Sequence, residues 1–157
     1  MKNPKLYKVV GVKPPLNIIL KGGEIVTPAG LVAKDKDSCR ESAVAFLSGY
    51  LIGKSLVVYP AQLEGKDIAS FELFATGVEL PSDLSLSKNM GGLYVGFSDI
   101  DGGFFRGSVK VLALNVNAVL IAHGCVSYVH KSGDSLQHDD LYQVLSKREN
   151  RKKPGQI

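Results

Sequence analysis

The chain has 157 residues, 45% hydrophobic and 22% charged, which suits one folded domain with one core and excludes disorder. Seventeen glycines and seven prolines exclude an architecture dominated by long uninterrupted helices. The net charge of +4 is unevenly placed. Lys2, Lys5, Lys8, Lys13 and Lys21 precede the first acid, and Lys147, Arg148, Arg151, Lys152 and Lys153 stand against Glu149 at the other end, while the stretch 22–146 is acidic. Attraction to a polyanion is therefore assigned to the termini.

Taken in order, residues 6–12 (LYKVVGV) predict a strand, ended by Pro14 and Pro15 because proline cannot donate to a ladder. Residues 16–20 and 25–27 flank Lys21-Gly22-Gly23-Glu24 and predict a hairpin, since glycine permits the positive φ of a tight turn. Ser38-Cys39-Arg40-Glu41 fits a capping box. Ala43, Phe46, Leu47, Tyr50 and Leu51 then recur at helical period, predicting a helix over 38–52 with Gly53 as its C-cap. Residues 55–59 predict a strand ended by Pro60. Residues 68–80 read as a strand with imperfect alternation and a bulge at Gly77, and 81–92 as a polar loop with one helical turn. Residues 93–100 and 104–114 flank Asp101-Gly102-Gly103 and predict another hairpin.

From Val111 to Val129 no side chain is charged. The length suits a membrane span, but Asn115, Asn117, His123 and Ser127 within it favour a core segment, because polar groups in mid-membrane are expensive. Residues 107–114 and 118–130 are expected to form either a hairpin turned at Asn115-Val116-Asn117 or one long bent strand. A last helix is predicted over 136–150, with Asp139 and Asp140 near its start and Lys147, Arg148 and Arg151 at its end, as the helix dipole favours. Leu141, Val144 and Leu145 give it an apolar face. Residues 152–157 are expected to be disordered.

The sequence MKNPKLYKVVGVKPP lacks a continuous apolar segment and a small-residue cleavage site. A cytoplasmic, reducing setting is therefore expected, with Cys39 and Cys125 as free thiols. Cys39 begins the capped helix, where the dipole lowers a thiol's pKa, and His123 is the candidate base. Cys39 also lies on the apolar stripe, and cysteine is readily buried, so the structural role outweighs the catalytic one. No metal-ligand spacing accompanies His123 and Cys125, and no glycine-rich piece matches a phosphate loop. Asp99 and Asp101 are explained by turn chemistry. His138 beside Asp139 reads as a solvated helix start. Phe97, Phe104 and Phe105, near Arg106 and Lys110, read as core rather than as a base-stacking surface.

These features predict one α+β domain over 1–146 and a basic tail over 147–157. The domain is a mostly antiparallel, curved β-sheet packed against one main helix, followed by a C-terminal helix. Val109, Val111, Leu112, Val119, Ile121, Phe46 and Leu47 are expected in the core. The leading functional expectation is a non-enzymatic binding or assembly protein. Its basic ends, chiefly Lys147, Arg148, Arg151, Lys152 and Lys153, would contact nucleic acid, another polyanion or an acidic protein. The alternatives are a cysteine-dependent enzyme using Cys39 with a histidine such as His123, and a small-molecule-binding domain with its pocket between helix and sheet. No cofactor, metal or membrane span is expected. Homo-oligomer formation through an exposed sheet edge is compatible with the pattern.

Overall fold

Strand β1 (Lys5–Lys13) is long enough to hold two partners in succession, and it bends where one gives way to the other. In this computed structural model, which describes residues 3–84, 86–100, 111–129 and 136–151, residues 5–8 pair with β5 (Ser55–Val58) and residues 9–13 with β2 (Asn17–Leu20), both antiparallel. The register skips between Val9 and Gly11, and a bulge of this kind bends and twists the strand. Strand β2 turns through Gly23, at φ +94°, into β3 (Ile25–Pro28) as the Gly-Gly signal predicts.

On its far edge β3 takes β6 (Ala69–Phe71), the only parallel pair among the described strands. On the other side β5 takes β7 (Phe74–Thr76), then β9 (Val111–Asn115), then β8 (Tyr94–Phe97). The sheet order is β6-β3-β2-β1-β5-β7-β9-β8. A separate ribbon joins β4 (Leu31–Ala33) to β10 (Val126–Tyr128). The fold is thus α+β with a curved, mostly antiparallel sheet against helices, as the sequence predicts.

Helix α1 (Asp37–Leu51) buries Ala43, Leu47 and Leu51 and half-buries Phe46 and Tyr50, so its apolar stripe lies as expected. Its start differs. The N-cap is Lys36 with no side-chain cap bond, and Ser38 lies inside the first turn, so the capping box with Glu41 does not form. Gly53 follows the helix at φ +88°, the left-handed position where glycine is favoured.

The larger correction is at 107–131. Neither a hairpin nor one long strand is present. Strand β9 stops at Asn115 and α2 (Val116–His123) follows directly. The Asn115 side chain accepts from the Ala118 amide at 3.1 Å, and Gly124 closes the other end at φ +93°. Every residue of α2 before His123 is buried. A helix apolar all round has no amphipathic period, so its sequence resembles that of a buried strand. This division also removes the membrane reading: no helix among the described residues is long and apolar enough to cross a membrane.

Residues 68–80 form two strands rather than one, parting at Glu72-Leu73. The expected pairing of 93–100 with 104–114 is realised as β8 on β9, Phe97 opposite Val111. Its Asp101-Gly102-Gly103 turn lies outside the described residues, as do Phe104, Phe105, Arg106, Val109, Lys110 and His130. Helix α3 (Asp139–Arg151) buries Leu141, Tyr142 and Leu145, and leaves Val144 exposed.

The principal core joins Leu47 of α1, Val119 and Leu120 of α2 and Tyr142 of α3 to one face of the sheet. A second, smaller core of Val57, Phe74, Ile100 and Ala113 occupies the opposite face. Val119 and Ile121 are buried and Val111 half-buried, but Leu112 is 62% exposed, against expectation. It shares the face of Leu114 and lies two residues further out, where no described element covers it.

Candidate functional site

The curl of the sheet brings its two outermost strands to one cleft of about 870 Å³. One wall comes from the β3–β4 connection and the end of β6, through Thr27, Gly30, Ser70 and Phe71. The floor is the second core, with Val57 of β5, Phe74 of β7 and Val95 and Phe97 of β8. Aromatic rings run along it: Tyr59 lies 6.4 Å from Phe97, Phe97 meets Phe74 edge-on at 5.6 Å, and Phe74 meets His138 edge-on at 5.7 Å.

Glu72 borders the cleft from the two-residue link between β6 and β7. Its side chain is only 10% exposed, and three donors fix it. The Gln137 amide donates to Oε1 at 2.6 Å, while His138 Nδ1 and the Tyr142 hydroxyl donate to Oε2 at 2.8 and 2.6 Å. Burial pushes Tyr142 well above the ordinary tyrosine pKa, and its bond to Glu72 pushes it further, so the hydroxyl keeps the proton that it donates. Tyr142 in turn accepts from Asn115 Nδ2 at 3.0 Å. That nitrogen also donates to the Gly92 carbonyl at 3.0 Å. Gly92 is required twice over: its φ is +90°, and a Cβ there would stand 2.5 Å from His138 Cδ2.

Asn117, fully buried, does for the backbone what Asn115 does for the side chains. Its Oδ1 accepts from the Leu73 amide at 2.9 Å, and its Nδ2 donates to the Ala29 carbonyl at 3.0 Å. One side chain thus ties the residue after Glu72 to the β3–β4 connection beside it in the same wall. The result is a carboxylate of fixed position at the edge of an aromatic cleft. Each carboxylate oxygen can accept more than one hydrogen bond, and Oε1 has a single described donor. Among the described residues no group of His, Cys, Asp or Glu is placed to hold a metal ion.

The residues singled out from sequence lie elsewhere. Cys39 is the third residue of α1, not its first, and its sulfur is bonded to Cys125, with the Cα atoms 4.7 Å apart. The expectation of free thiols is therefore overturned, and with it the placement of Cys39 as a free nucleophile. The pairing of β4 with β10 carries Cys125 to the start of α1, where the Lys34 amide donates to the Cys125 carbonyl at 2.9 Å. The His123 ring stacks on Phe46 at 4.2 Å. Lys147 and Arg148 are exposed on α3, and Arg151 is its last residue, so the expected boundary at 146/147 falls within a helix. Lys152 and Lys153 lie outside the described residues.

His138 is another correction: it is a half-buried partner of Glu72 rather than a solvated helix start. Glu72, Asn115, Asn117 and Tyr142 carry no sequence motif that marks them as site residues. The available signal was the pair of asparagines inside an uncharged run, since a buried amide must find partners. Comparison of the chain with protein-family models, curated proteins and solved structures finds no match.

Proposed function

We propose that this chain is a non-enzymatic binding domain that takes a small organic molecule into the cleft between the curled ends of its sheet. The observation that carries this reading is Glu72, immobilised by three donors at the edge of a cleft lined by aromatic, aliphatic and polar residues. Ligand sites are commonly concave, apolar and furnished with a few fixed polar groups, and occupy about 300–1,000 Å³. The cleft has that size, with polar and apolar surface in about equal measure and Glu72 as its charged group among the described residues. Its polar group is held before any ligand arrives, so binding need not order it.

The test is a ligand-observed NMR screen of a fragment mixture against the full chain and against Val32→Trp. Val32 borders the cleft, is 54% exposed and belongs to neither core, so an indole there fills the mouth and spares the fold. Fragments that bind the native chain are expected to lose their signal with Val32→Trp. Fragments that bind both proteins alike would place the site elsewhere.

The charge layout supports a second activity, compatible with the first. The buried residues Leu141, Tyr142 and Leu145 hold α3 against the core, while Lys147 and Arg148 face solvent. In this reading the basic C-terminal segment adds electrostatic affinity for a polyanion such as nucleic acid or for an acidic partner.

A further inference from the structure

We infer that the molecule taken into this cleft is an organic cation: an amine or quaternary ammonium joined to an apolar body. The inference rests on the cleft being a ligand site, as proposed above, and adds the chemical class of its occupant.

The first support is charge. The chain carries 19 lysines and arginines, yet among the described residues none borders the cleft, and Glu72 is the only carboxylate that does. An anionic ligand would meet that carboxylate with no described cation to offset it. A cation in the same place gains an opposite charge whose rotamer is already fixed. His138 is not among the lining residues and meets Glu72 at Oε2, so it adds no described cation to the wall of the cleft itself.

The second support is the aromatic row. Tyr59, Phe71, Phe74 and Phe97 all border the cleft. The faces of such rings carry negative electrostatic potential and attract cations placed over them. Aromatic walls with one carboxylate at the end suit a positively charged head group better than a neutral or anionic one of equal size. Thr27, Gln62 and Ser70 supply uncharged polar contacts along the same walls.

The experiment follows amide resonances of the labelled full chain during titration with three probes of one shape. These are choline, its uncharged carbon isostere dimethylbutanol, and the matching anion dimethylbutanoate. Choline is expected to shift resonances of the cleft residues and to bind about tenfold more tightly than the isostere, with the anion weakest. Glu72→Gln keeps the shape and most hydrogen-bonding capacity, and should reduce the affinity for choline to that for the isostere. Phe97→Leu, at a half-buried position remote from the Glu72 hydrogen bonds, should weaken choline more than the isostere. It decides the matter if Glu72→Gln fails to fold. Equal binding of choline and isostere, or tightest binding of the anion, would overturn the cation assignment and leave the cleft as a ligand site. Absence of cleft shifts with all three probes would overturn the ligand site itself.

Discussion

Tyr142 shows how much one side chain holds in this molecule. It is fully buried, donates to Glu72 and accepts from Asn115, so it joins α3 to the β6–β7 link and to the start of α2. Burial, reinforced by the neighbouring carboxylate, raises its pKa above the ordinary tyrosine value. The pH dependence follows in sign. Below about pH 10 the hydroxyl is protonated in both folded and unfolded chains, and its contribution to stability is complete. Above that pH the unfolded chain ionises first while the folded chain keeps its proton, so stability falls as pH rises. Tyr142→Phe is expected to be less stable at neutral pH by about 1–3 kcal/mol, because Glu72 and Asn115 each lose a partner. It should also show a shallower loss of stability between about pH 9 and 11.5. Urea midpoints of both proteins across that range measure the difference. Tyr50, likewise raised by burial and donating to the Glu79 carbonyl, is present in both and cancels. Parallel slopes would mean that the Tyr142 hydroxyl does not hold its proton in the way described.

The elements around α2 are held by one covalent tie. The Cys39–Cys125 bond joins the first turn of α1 to the turn between α2 and β10, across a sequence separation of 86. Cys125 sits at φ +65°, a left-handed conformation unusual outside glycine. A cross-link of this span restricts the unfolded chain, and removing it is expected to cost about 2–5 kcal/mol. Dithiothreitol should therefore lower the denaturation midpoint of the native chain but not that of a Cys39→Ser, Cys125→Ser double variant. Iodoacetamide that labels both cysteines of the unreduced native protein would show the bond to be absent. The elements whose signals are local are legible in the sequence. The β2–β3 hairpin announces itself in Gly22-Gly23, and α1 in the spacing of Ala43, Leu47 and Leu51. Helix α2 is not legible there, because Val116, Val119 and Ile121 favour strands in isolation and burial on every side overrides that preference. Asn115, a turn residue by its sequence context, is the N-cap of α2. The cysteine pair and the contacts of Glu72 join residues 65 or more positions apart, and no local pattern encodes such a meeting.

On the scale of the whole molecule, the sheet's curl and the charge layout place two surfaces in different parts of the chain. The cleft lies between strands of the acidic body, and the basic excess belongs to the termini. Binding in the cleft and contact with a polyanion are therefore separable. Cations at the end of α3 are already favoured by the helix dipole, so their number alone does not establish a binding role. Counterion release supplies the discriminating demand. If the segment neutralises duplex phosphates, log affinity must fall with log salt with a slope of about 0.9 for each phosphate contacted. The comparison is between the native chain and a full-length variant in which Lys147, Arg148, Arg151, Lys152 and Lys153 are all replaced by Gln. Both are titrated against duplex and single-stranded oligonucleotides at two salt concentrations. Lys147 and Arg148 are exposed, so these two replacements disturb no buried contact. The native chain is expected to bind at low salt with a steep salt dependence, and the variant to lose most of that affinity while keeping its thermal transition and its cleft binding. Equal binding by both proteins would move the contact to the lysines of the N-terminal segment. Absence of binding by the native chain at low salt would remove nucleic acid as the partner and leave an acidic protein surface as the complement of these ends.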